Sequence, residues 1–142
     1  MSETEIFEAL RYTADVVCVR GDEVLLIERG WPPFKGFLAL PGGHVDPGET
    51  SRAAAARELL EETGIRVDPA DLVFVGLYDA PDRDPRGRYI GAAYAVRVPE
   101  GTEAVAGDDA VSVRWVPLSG LPRMAFDHRW IVSDARRAVF DR

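Results

Sequence analysis

One cysteine, Cys18, in 142 residues excludes an intrachain disulfide. No apolar run approaches the roughly 18 residues of a helical membrane span, so no membrane partner is expected. The opening residues, MSETEIFEAL, are acidic and lack the charged-then-apolar pattern of a secretory leader. The expected compartment is therefore cytoplasmic. Basic side chains are in deficit: 17 Lys and Arg stand against 24 Asp and Glu, a net charge of -7. That field disfavours nucleic acid as a partner. It leaves room for an anionic small molecule bridged to the protein by a cation. Lysine is nearly missing, with Lys35 alone, a bias that genomic base composition explains. Repeats, linkers and low-complexity tracts are also lacking, and the length suits one domain over residues 1–142.

What is present reads as alternating strands and helices. YTADVVCVR and EVLLIER, joined by Gly21-Asp22, predict a β-hairpin. GWPPFKG is a loop and FLALPGG a short strand. SRAAAARELLEE is strong helix-forming sequence, with Thr50 or Ser51 as N-cap and Gly64 as the stop. DLVFVGLYDA, YIGAAYAVRV and VSVRWVPL predict three further strands. DHRWIVSDARRAVF predicts a closing amphipathic helix capped by Asp127. The expected fold class is α/β, a mixed sheet with helices on its faces.

The mid-chain helix carries an unusual charge pattern. Residues three and four apart share a helix face. Glu58, Glu61 and Glu62 therefore crowd one side of its last turns. Each like-charge pair costs roughly 0.2–0.5 kcal/mol, and the negative end of the helix dipole adds to that. Arg57 offsets one charge. Clustered carboxylates suit a hard divalent cation such as Mg²⁺ or Mn²⁺, whose shell is commonly completed by water and substrate phosphate. A solvated acidic face is the alternative for an isolated E-x-x-E-E.

The surrounding residues decide between these. From Gly43 the pattern runs through Glu49 to Arg57-Glu58-Leu59-Leu60-Glu61-Glu62-Thr63-Gly64-Ile65. It resembles the Nudix box with each defining position filled. Seven positions are fixed by identity, so a chance match is on the order of 10⁻⁸ per starting point. The resemblance implies a Nudix-type α/β/α sandwich around a mixed β-sheet. It implies metal-dependent hydrolysis of a nucleoside diphosphate linked to another moiety, X. It assigns Glu58, Glu61, Glu62 and the carbonyl of Gly42 as metal ligands, with Arg57 holding a glutamate in place and Glu49 as its partner. The general base would be a box glutamate or an acid of the later loop that holds Glu103, Asp108 and Asp109. Asp109 falls where relatives place an extra metal-binding glutamate, though aspartate is one methylene shorter. His44 reads as a variable box position and His128 as helix packing.

The box does not specify X. The segments PPFKG, DAPDRDPRGR, AYAV, GDDA, RWVPL and AFDH resemble the short bacterial branch grouped with ADP-ribose pyrophosphatases. That branch implies cleavage of ADP-ribose to AMP and ribose 5-phosphate. Arg83, Arg86 and Arg88 share one loop, where guanidinium forks could grip phosphate or ribose; a solvated loop balanced by Asp79, Asp82 and Asp84 is the other reading. Phe34, Trp31 and Phe126 could stack on a base or pack. Relatives of this branch often carry a tryptophan where Phe37-Leu38 stands. The signature of the NADH-cleaving branch is lacking. Two alternatives stay open: a (d)NTP pyrophosphohydrolase of the 8-oxo-dGTP-sanitising kind, and a nucleotide sensor that binds ADP-ribose without cleaving it. Relatives are often homodimers, and GAAYAV suits core or interface equally.

Overall fold

The computed structural model describes residues 5–107 and 110–141. Its strands are β1 (Arg11–Arg20), β2 (Glu23–Arg29), β3 (Leu38–Ala39), β4 (Gly42–His44), β5 (Val73–Tyr78), β6 (Tyr89–Arg97) and β7 (Ala110–Pro117). The helices are α1 (Ser51–Thr63) and α2 (His128–Ala135), the second continuing into a π-helical turn at Arg136–Phe140. All seven strands join one sheet in the order β3-β2-β1-β6-β5, with β4 also against β1 and β7 against β2. β1 and β6 run parallel from Arg11↔Tyr89 to Val19↔Arg97, while the other pairs are antiparallel. The sheet is thus mixed, as expected.

Alternation along β1 builds the two faces. Ala14, Val16 and Cys18 pack with Ala54, Ala55 and Leu59 of α1. Val17 and Val19 pack with Ile131, Val132 and Ala135 of α2. The result is an α/β/α sandwich. Burial pushes the Cys18 thiol up to about 12, which keeps it an inert core group. The GAAYAV segment lies inside this core, with Ala92, Ala93 and Ala95 fully buried between β1 and β5. Among the described residues no helix is long and apolar enough to cross a membrane.

The sheet splays where it matters. β1 and β2 are in register at Val19↔Val24 and Arg20↔Glu23. Further along, β2 pairs with β3 at Ile27↔Ala39 and Glu28↔Leu38. β4 meanwhile takes the place beside β1, from Thr13↔His44 to Asp15↔Gly42. The single strand expected over FLALPGG is therefore two short strands broken at Leu40-Pro41, each serving a different neighbour. The parting of β1 from β2 opens a cleft that both strands line.

α1 starts where Thr50 accepts a hydrogen bond from Ala53 N at 3.1 Å and ends at Gly64, whose φ is 74°. Its last carbonyls are satisfied from outside the helix. Val105 N donates to Thr63 O and Gly107 N to Glu62 O, both at 2.9 Å. The loop before β7 is thereby tied to the carboxylate end of α1. Asp127 begins α2, but its side chain makes no cap hydrogen bond; an arginine takes it instead.

Candidate active site

Arg57 is the hub of the box. Its Nε and Nη2 donate to the two carboxylate oxygens of Glu49 at 2.8 and 3.0 Å. Its Nη1 donates to Glu58 at 2.9 Å and Glu61 at 3.1 Å. Its Nη2 also donates to the carbonyl of His44 at 2.9 Å. One guanidinium thus fixes three glutamates and the β4 backbone. Hydrogen bonding to Glu49 holds the guanidinium charged, and the same bonds lower the Glu49 carboxyl below its usual value. The unfavourable charge crowding expected on α1 is compensated inside the molecule to this extent.

The three helix glutamates differ in setting. Glu62 is buried, and its Oε1 accepts from Gly42 N at 2.7 Å. The Glu58 carboxylate lies so near Gly43 that a Cβ there would stand 2.6 Å from it. Glu61 is the exposed member, its side chain 56% accessible. Glycine at Gly43 is a requirement of close approach: any side chain would expel Glu58.

Glu58, Glu62, the Gly42 backbone and Asp46 line an opening of about 260 Å³ beside Trp31. Glu62 and the Gly42–His44 strand also border a second cleft of about 210 Å³. Its other walls are Asp15, Arg29, Arg86, Tyr89, Phe126 and His128. Glu62 therefore sits on the ridge between two hollows. The donor set is hard oxygen throughout, which fits Mg²⁺ or Mn²⁺ and not a soft metal. Among the described residues no group of three or more His, Cys, Asp or Glu side chains is placed to hold a metal ion by itself. A cation that keeps waters and takes substrate phosphate does not need one. Asp109 and Asp108 lie outside the described residues.

The arginine loop disperses. The Arg83 side chain is buried and forms a two-pronged ion pair with Asp127, at 2.9 Å from Nε and 2.7 Å from Nη2. It clamps the β5–β6 loop to the start of α2, and so removes Asp127 from capping. Arg86 reaches the cleft. It is held by Asp84 at 3.0 and 2.8 Å and lies over the Tyr89 and Phe126 rings at 4.9 and 5.6 Å. Burial alone would raise the Asp84 carboxyl, but bonding to Arg86 brings it below its usual value. Arg88 pairs with Glu8 at 2.6 Å and borders a separate groove with Pro81 and Pro85. Of the three arginines of this loop, Arg83 and Arg86 border the cleft and Arg88 does not. Phe34 borders neither hollow. It packs edge-on against Phe37 and Phe126, at 5.5 and 4.9 Å, and the ring that lines the cleft is Phe126. Both Phe34 and Phe126 have positive φ, 61° and 54°, a strained backbone that fixes this corner.

Three cleft residues escaped the sequence reading. Arg29 lies over Phe126 at 4.8 Å, and burial followed by the nearby Arg86 charge lowers its pKa. Asp15 is buried on β1, where burial raises its carboxyl to about 7 against the opposing influence of Arg83. His128 is buried too; burial lowers it to about 4, so its ring is neutral near pH 7. One signal was available: Asp15 sits at an inward position of an apolar strand, in phase with Val17 and Val19.

Comparison with known proteins agrees with this geometry. The NUDIX domain family model matches residues 9–135. The chain is 44% identical to an ADP-ribose pyrophosphatase of Methanocaldococcus jannaschii over 123 residues, 87% of this chain and 71% of that protein. It is 33% identical to a putative 8-oxo-dGTP diphosphatase of Bacillus subtilis, covering 80% of this chain and 70% of that one. A Francisella tularensis bifunctional NMN adenylyltransferase/ADP ribose pyrophosphatase, solved with AMP and a Mn ion, superposes with a TM-score of 0.82 at 32% identity. That match covers 92% of this chain and 42% of the larger protein.

Proposed function

The chain belongs to the Nudix family of pyrophosphohydrolases, and on that premise we propose that residues 1–142 form one hydrolase domain that cleaves ADP-ribose to AMP and ribose 5-phosphate with Mg²⁺ or Mn²⁺. The observation that carries this reading is the ridge position of Glu62. Its carboxylate faces the box on one side and, on the other, a cleft walled by Arg29 and Arg86. A pyrophosphate laid across the ridge meets anion-binding arginines and the metal-binding face together. The identity with the M. jannaschii enzyme supports ADP-ribose as the substrate.

The residues divide the work. Glu58, Glu61, Glu62 and the Gly42 carbonyl hold the cation. Arg57 and Glu49 keep those carboxylates in place. When bound, the divalent ion supplies charge neutralisation on the phosphate oxygens and activates water. Arg29 and Arg86 bind the substrate's negative charge, and Phe126 and Tyr89 form the apolar wall beside it. A carboxylate of the box, or Asp109, takes the proton of the attacking water.

The test is product release with Mg²⁺ from a panel of ADP-ribose, NADH, 8-oxo-dGTP, dNTPs and a dinucleoside polyphosphate. Preference for ADP-ribose, giving AMP, is the expected result. Preference for 8-oxo-dGTP would move the protein to the reading favoured by its B. subtilis relative. Tight ADP-ribose binding with no turnover would make it a sensor.

A further inference from the structure

The floor of the Arg29–Arg86 cleft holds two buried polar side chains that the hydrolytic machinery does not use. His128 Nδ1 accepts a hydrogen bond from Leu40 N at 3.0 Å. A neutral imidazole that accepts at Nδ1 carries its proton at Nε2. That Nε2–H faces Asp15 Oδ2 at 3.8 Å, too far for a direct hydrogen bond. Asp15 is 93% buried by its 7% relative exposure, yet no protein hydrogen bond to its carboxylate is found among the described residues. Its position is rigid: it stands opposite Gly42 in the β1–β4 pairing, and a Cβ on Gly42 would lie 2.2 Å from its Oδ1. Both side chains line the cleft. Its oxygens are not sealed off, since Trp115 Nε1 is the one fully enclosed side-chain polar atom without a partner among the described residues; they open onto the cleft, where a ligand can reach them.

We propose that Asp15 and His128 form a subsite that takes a sugar hydroxyl of the substrate, which accepts from His128 Nε2–H and donates to Asp15. An oxygen set to one side of the line joining the two atoms, on the cleft side, would lie within hydrogen-bond reach of both. A phosphate is repelled whenever Asp15 is ionised. A hydroxyl fits whether or not Asp15 is protonated, since it both donates and accepts; the elevated Asp15 carboxyl therefore does not disturb the match. The arginines at the rim take the charged part of the substrate, so the floor reads its neutral part. This subsite rests on the ADP-ribose reading above and names the chemistry behind its selectivity. ADP-ribose carries two riboses, and either could supply the hydroxyl.

The test compares three compounds: ADP-ribose, an alkyl ester of ADP that lacks the terminal ribose, and an ADP-ribose whose adenosine ribose is 2′,3′-dideoxy. The wild-type protein is expected to lose about 100-fold in kcat/KM on one of the two analogues, and that analogue identifies the ribose. Asp15→Ala should cost about 100-fold on ADP-ribose but less than about tenfold on the sensitive analogue, because both deletions remove the same contact. His128→Asn keeps an acceptor for Leu40 N, removes the Nε2–H, and should show the same non-additivity. Melting curves check that both variants fold. Equal losses on all three compounds, or none, would overturn the subsite while leaving ADP-ribose as the substrate. A wild-type protein that turns over ADP-ribose no better than either analogue would overturn the subsite and the substrate reading together.

Discussion

The carboxylate helix and the arginine loop each put three like charges within a few residues, and the structure treats them oppositely. Glu58, Glu61 and Glu62 stay together on one face of α1, and Arg57 and Gly42 bind them. Arg83, Arg86 and Arg88 part: one to Asp127, one to Asp84 at the cleft, one to Glu8. The difference is periodicity. A helix fixes the direction of each side chain from its sequence offset. A loop fixes nothing until its distant partners are in place. Sequence proximity therefore predicts a shared site in the first case and fails in the second.

Four substitutions probe this contrast. Glu62→Gln should lower turnover by about 10²–10³-fold with little change in melting, since the amide oxygen still accepts from Gly42 N. Near-normal turnover would remove Glu62 from the site. Arg83→Ala should act on the fold first. It strands the Asp127 carboxylate, with an expected loss of about 3 kcal/mol in denaturant unfolding. A loss of activity with unchanged stability would instead return Arg83 to the substrate. Arg86→Ala should raise the KM for ADP-ribose about tenfold with a smaller effect on kcat. Arg88→Ala should leave both constants within about twofold, as expected for a surface pair. Equal effects of the last two would erase the distinction within the loop.

The parts of the fold that were legible in the sequence are those set by local chemistry. Thr50, the alanine run and Gly64 mark α1 within a residue, and the Gly21-Asp22 turn marks the first hairpin. β4 was hidden because Gly42–His44 has no strand composition; it is a strand only because Thr13–Asp15 lies beside it. The parallel pairing of β1 with β6 joins segments far apart in the chain, which no local pattern encodes. Asp127 was foreseen as the start of α2, but not its capture by Arg83, because that bond depends on two remote loops meeting. The cleft floor was missed for the same reason. Asp15 stood out only as an acid in an apolar strand, and His128 acquires meaning from Leu40 and Asp15 together.

The proposed hydrolysis depends on a divalent ion bound at the carboxylate face of α1. Thermal melting of the wild-type protein and of Glu62→Gln, with and without millimolar Mn²⁺, tests it most directly. An ion present at one hundred times its Kd adds about 2.7 kcal/mol to stability. The wild-type protein should melt at a higher temperature with Mn²⁺, and Glu62→Gln should show a much smaller rise. No shift in the wild-type protein, or an equal shift in both, would contradict the claim.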